Sequence, residues 1–272
     1  MTNYLLAFIS GILGTMIGGT ASFVITGLVG LIVIILDASG ANTVVLTDQV
    51  LNLLFMPCVC FNGAIAGLAF AANIRHHDIN GANGNRSLYF TGDWLVLIIG
   101  GIFGLLGYGL FSLFTAWQFP IDIGALVVLS VNVLIRVLFG TKKYIHHPEE
   151  SLFKLDQLNF WGFQIIFALA LSLVTAYFVA DTNVSSIGFS LSALSLIFVF
   201  ATPDFPATHH TTLIAGYAMM ATGSLLISAI FGVLAQLFFI IFNTYFNTEL
   251  DSHVDAPAAS IALFSLIIFT VF

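Results

Sequence analysis

Long apolar runs without interrupting charge constrain this chain more than any other feature. Eight of them emerge, near residues 4–35, 50–72, 94–117, 121–139, 160–180, 187–201, 212–242 and 257–272. Only 7% of the 272 residues are charged, and 59% are hydrophobic. A soluble surface needs roughly a quarter to a third Lys, Arg, Glu and Asp, so lipid must act as solvent here. A bilayer core about 30 Å thick takes about 20 apolar residues as helix. Backbone groups in lipid must bond internally, which leaves helices or a closed barrel. The runs are continuous rather than alternating, and this selects helices. The expectation is an all-α, multi-pass transmembrane bundle of about eight spans, forming a single domain over residues 1–272. The first run lacks the basic leader of a cleavable signal and is too long for one, so it reads as a span.

The basic residues set an orientation. They are Arg75, Arg86, Arg136, Lys142, Lys143 and Lys154. With eight spans, the connections 74–92 and 142–159 fall on one side and hold five of the six. Arg136 ends the fourth span near that side, where a long side chain can snorkel to the interface. The opposite connections carry Asp37, Asp48, Asp181, Glu249, Asp251 and Asp255 without Lys or Arg. The positive-inside rule then places the chain in the cell inner membrane with both termini cytoplasmic. Trp94, Trp117 and Trp161 lie at expected span ends, where interfacial tryptophans belong. The first and seventh runs are too long for a perpendicular span, since about 31 residues of helix reach about 46 Å. They tilt, or they break at Gly18-Gly19 and at Gly223-Ser224 or Gly232. A hairpin in only one of them would reverse the parity of this topology.

An internal repeat is expected. Ile123-Gly124 precedes a His pair, His146-His147, much as Ile187-Gly188 precedes His209-His210. Residues 93–147 then pair with 158–210, and residues 4–72 with 212–272, as parallel copies. The seam between such halves is a natural solute path.

Several residues could line or guard that path. Asn62 follows Pro57 in mid-span, beside the small residues Gly63, Ala64, Ala66 and Gly67. A buried Asn needs a partner on another helix or a solute, while a small-residue face lets helices approach closely. Gly18, Gly19 and Thr20 offer an unwound stretch in the first run or a close helix contact. Asp251, His253 and Asp255 form an expected outer vestibule before Pro257, which suits the first turn of a helix that Asp255 or Ser252 could cap. They read equally as a solvated acidic loop. Asp204, His209 and His210 form an expected inner mouth between two prolines, or simply an interfacial turn. His76-His77 and the pair at 146–147 read as solvated. Asp93 and Asp122 lie near span ends and are cheap to hydrate. Cys58 and Cys60 are too close for an unstrained disulfide. No spacing specifies a metal site, and no motif implies a cofactor or a nucleic-acid partner.

At MPCVCFNGAIAGLAFAA, PATHHTTLIAG and HVDAPAASIAL the chain resembles an uncharacterised family of polytopic bacterial membrane proteins with permease-like sequences. HVDAPAA also resembles the His-Pro-Pro signature of a small bacterial membrane family associated with anion transport. It departs from that signature because Val254 to Ala256 separate His253 from Pro257. The resemblance implies membrane transport without naming a substrate or any catalytic residue.

The leading expectation is therefore not an enzyme but a channel or secondary transporter for a small solute. The acidic outer loops favour cation or proton involvement. A non-catalytic scaffold or subunit of a larger membrane complex is one alternative. A metal-dependent membrane enzyme is another, although its His and Asp clusters are expected on opposite faces. The partners implied are the lipid bilayer and a small solute or ion, and a homo-oligomer is compatible with such a chain.

Overall fold

The computed structural model describes residues 2–148, 152 and 157–272. The described residues form ten α-helices and no strand. They are α1 (Thr2–Ile17), α2 (Gly19–Ala38), α3 (Pro57–Asn73), α4 (Trp94–Ala116), α5 (Ile123–Phe139), α6 (Leu158–Thr182), α7 (Ile187–Ser195), α8 (His209–Thr222), α9 (Leu225–Asn247) and α10 (Ala256–Val271). A π-helical turn, Leu46–Leu54, leads into α3, and a tighter turn, Leu196–Phe200, extends α7. Five helical stretches are long and apolar enough to cross a membrane: Gly19–Ala38, Leu46–Asn73, Trp94–Ala116, Leu158–Thr182 and Leu225–Asn247. Large apolar side chains such as Leu226, Ile166, Phe163 and Tyr177 point outward along these helices.

Ten helices replace eight runs because both of the longest runs break. Gly18 takes φ 97° between α1 and α2, a backbone conformation that glycine reaches without steric cost. Ser10 of α1 donates to the Leu54 carbonyl at 2.6 Å, and Thr26 of α2 donates to the Phe55 carbonyl at 2.6 Å. The two helices thus diverge from Gly18 as a V, with the entry to α3 held between them. The second break is Gly223, with φ 64°, followed by Ser224, which caps α9 by accepting from the Ile227 N–H. Neither turn is charged, so hydropathy reads straight through both.

Glycines set the helix spacing at the core of the first half. A Cβ on Gly63 would lie 2.5 Å from the Gly11 Cα, and one on Gly11 would lie 2.2 Å from the Gly100 carbonyl oxygen. α1, α3 and α4 therefore meet backbone to backbone, as the small-residue face implies.

The neighbour pattern recurs between consecutive halves. α1 packs on α3 and α4, and α6 packs on α8 and α9. α5 covers α3 and α4, while α10 covers α8 and α9. Across the middle, α2 meets α7 and α5 meets α10. Short identities follow the same register: Ile65-Ala66-Gly67 in α3 against Ile214-Ala215-Gly216 in α8, and Ile102-Phe103-Gly104 in α4 against Ile230-Phe231-Gly232 in α9.

One end of the bundle gathers the basic loops. Leu88 N–H donates to the Thr15 carbonyl beside the Gly18 turn. Asn73 Nδ2 donates to the carbonyls of Phe139 and Asp251. The Asp251 carboxylate accepts from the N–H groups of Thr141 and Lys142. The loop before α10, expected opposite the basic loops, therefore lies with them. Arg136 does not snorkel to water. It is buried, with Nε donating to Ser252 Oγ at 2.9 Å and a second nitrogen to the Tyr144 carbonyl at 3.1 Å. Lys154 lies outside the described residues.

Two outcomes are expected. Gly63→Ala should destabilise the protein by roughly 1–3 kcal/mol through overpacking, read as a lower thermal midpoint in detergent. Asp93 is held below the usual carboxylate range, first by the 2.6 Å bond from Arg75 Nε, against a smaller opposing effect of burial. Its contribution is complete above the unfolded value of about 3.9 and is lost as pH falls through the lower folded one. Arg75→Gln should flatten that acid loss in a pH series of thermal midpoints.

Candidate functional site

The lipid-like interior raises a problem at the helix starts. α3, α5, α8 and α10 begin inside the bundle rather than at its ends, and the first N–H groups of any helix have no intrahelical acceptor. Two starts are capped by carboxylates. Asp122 Oδ1 accepts from the Ala125 N–H at 2.8 Å, and Asp255 Oδ2 accepts from the Ala258 N–H at 2.7 Å. Each cap is also tied to the other helix. The Asp122 N–H donates to Ser265 Oγ of α10 at 2.9 Å, and the Asp255 N–H donates to Asn132 Oδ1 of α5 at 3.1 Å. Asn132 lies ten residues after Asp122, and Ser265 ten after Asp255. The two bonds are thus reciprocal, and they hold α5 and α10 antiparallel.

The second oxygen of each carboxylate has a different partner. Tyr217 Oη of α8 donates to Asp122 Oδ2 at 2.6 Å. His253 Nε2 lies 3.3 Å from Asp255 Oδ1. A single cavity of about 280 Å³ touches Asp122, Asp255, Tyr217 and His209, and Pro57 and Cys58 at the start of α3. Its other walls are mainly apolar, including Phe23, Val33, Met56, Val128, Phe189 and Leu213. A second cavity, of about 300 Å³, runs from the loop 82–85 past Thr20, Phe61 and His253 to His209 and Asp255. Phe23, His209 and Asp255 line both cavities and so form the partition between them.

His209 is the least satisfied group there. It is buried, its ring lies 5.1 Å from that of Phe23, and its Nδ1 has no hydrogen-bond partner among the described residues. Its neighbour His210 points elsewhere, as adjacent helical residues must. His210 Nε2 lies 2.8 Å from Gln236 Oε1, and its ring stacks on Phe239 at 4.2 Å.

The expected sites are thus redistributed. His209, His253 and Asp255 come together, although they were expected on opposite faces. The break at Gly223-Ser224 accounts for this, since it turns the chain back between His209 and Asp255. Pro57 and Thr20 line the cavities, whereas Gly18 and Gly19 shape the turn beside them. Asp251 braces the basic-end loops, and Asp204 is exposed in the loop before α8. Asn62 lines neither cavity. It is fully buried, donating to the Cys58 carbonyl at 2.8 Å and accepting from Asn132 Nδ2 at 2.9 Å. Asp122 was expected only as a hydrated span-end residue, and Tyr217 was not singled out. Asp122 looks like an interfacial residue next to Trp117 and Phe119. The signal was the shared pattern of an Asp, then Ala three residues on, then a polar residue at ten. Among the described residues no three His, Cys, Asp or Glu side chains cluster as a metal site.

An outward apolar belt around a buried carboxylate, Asp255, with five helices able to cross a bilayer, fits a multi-pass membrane protein. The chain belongs to a family of unknown function, DUF7973, whose model matches residues 1–160 and again residues 153–272. No curated protein and no solved structure matches it.

Asn62→Leu should lower stability by on the order of 0.6–2 kcal/mol, the range for interhelical hydrogen bonds in membranes, and leave any solute flux unchanged. Lost flux at unchanged thermal stability would instead move Asn62 to the path.

Proposed function

We propose that the protein is a secondary transporter or channel for a small solute, with a cation as the favoured cargo. The observation that carries this reading is the pair of cavities that meet at Phe23, His209 and Asp255. One cavity reaches the basic-end loop 82–85, and the other reaches Val33, Ile34 and Asn52 toward the opposite end. A narrow partition between two cavities is what an alternating or gated path requires. Membrane-embedded carboxylates facing a cavity are costly unless they serve a solute or a proton. No Lys or Arg lines either cavity, so the local field favours positive charge.

The recurring neighbour pattern and the two successive family matches support two copies of one five-helix unit. An odd number of passes per unit makes the copies inverted, as in many carriers whose broken helices meet at the midplane. Three helices precede the first basic loop. By the positive-inside rule, both termini then face away from the cytoplasm, the reverse of the orientation expected from eight spans.

Two measurements test this. Membrane-impermeant labelling of single cysteines at residue 2 and at Lys142 should report opposite sides, with residue 2 external. Labelling on the same side would overturn the ten-pass topology. Purified protein in liposomes should carry a cation flux that Asp255→Asn lowers at least tenfold. Asn remains a good helix cap, so the variant keeps its fold. Flux equal to that of empty liposomes would overturn the transport reading.

A further inference from the structure

The two carboxylates of the first cavity sit at a defined spacing. Asp122 is bonded to Ser265, ten residues along α10 from Asp255. At 1.5 Å per residue the two helix starts are ~15 Å apart along the bundle. The stretch between them is apolar, with Met56, Ala125, Val128, Leu213, Ala258 and Ile261 as walls. The cavity therefore carries negative charge at both ends and hydrocarbon between.

Resting on the transport reading above, we propose that this cavity binds an elongated aliphatic dication, an α,ω-diamine with one ammonium group at each carboxylate. Charged hydrogen bonds of ~2.8 Å at each end leave ~9 Å between the two nitrogens. An inorganic cation would leave the apolar walls uncovered and satisfy one carboxylate at a time. A monoamine would cover the walls but leave the second carboxylate facing a dry cavity, which is costly. A diamine answers both ends and the middle together. Each carboxylate retains acceptor capacity for it, because each oxygen accepts one protein donor at most in the contacts above and can take two. His209, buried at the Asp255 end with Nδ1 unpartnered, supplies a further acceptor for the ammonium when its imidazole is neutral.

The test uses the purified full chain in lipid nanodiscs. Thermal midpoints are followed against hexamethylenediamine, octamethylenediamine, the matched monoamine hexylamine, and the short ethylenediamine. The long diamines are expected to bind at least tenfold more tightly than hexylamine, and ethylenediamine no better than hexylamine. Asp122→Asn and Asp255→Asn, which keep the helix caps, should each reduce hexamethylenediamine binding to the level of hexylamine. Equal binding of mono- and diamines by the natural protein overturns the proposal without needing any variant. So does undiminished diamine binding in both Asn variants. Cation flux in liposomes is measured alongside. Flux with no preference for diamines removes only the substrate class. Diamine binding without flux of any cation removes the transport reading and leaves a binding protein.

Discussion

Everything in this bundle depends on how helix starts are satisfied away from water. A helix beginning inside an apolar bundle leaves several N–H groups without acceptors, and each costs free energy in a medium that offers none. Asp122 and Asp255 answer this by capping α5 and α10, and each cap donates its own N–H across to the other helix. The reciprocal bonds fix the depth of both starts and the register of the antiparallel pair. Once that register is set, the carboxylates face one cavity from its two ends. The same groups thus terminate the helices and shape the chemistry of the interior.

The fold class was legible because apolar runs of this length leave few alternatives. Pro257 was correctly read as a helix start, and Asp255 was a foreseen cap. The close contact of α3 with α1 followed from its small residues. Breaks at Gly18-Gly19 and Gly223-Ser224 were foreseen as an alternative to tilt, but polarity could not decide between the two, because both turns use backbone freedom. Hydropathy sums side chains and cannot register φ. Reading each long run as one span is what set His209 and Asp255 on opposite faces. Asn62 was weighed both as a helix contact and as a path residue, from its polarity and its small neighbours. Its actual partner, Asn132, lies 70 positions away in sequence, where no local pattern points to it.

The halves share a neighbour pattern but not their charges. Where α5 ends in Arg136, ten-helix register places Phe269 in α10, at the same distance from the capping Asp. Arg136 bonds the loop that introduces α10, so the basic end is braced by a buried guanidinium. At the matching place the opposite end has Phe269 against Tyr217, with ring centroids 5.0 Å apart, and Tyr217 donates to Asp122. The two ends are thus held by different chemistry, a guanidinium at one and a phenol at the other.

The same asymmetry reaches the cavity. Asp122 is held by a phenol, which donates one bond and keeps no positive charge. Asp255 lies near two imidazoles, His253 within 3.3 Å and His209, which shares the partition with it. A cation at Asp122 competes with a phenol, whereas one at Asp255 competes with imidazole nitrogens. The Asp255 end adjoins the second cavity, which reaches the loop 82–85. His209 and His253 beside Asp255, against Tyr217 beside Asp122, make the two ends of the first cavity chemically different.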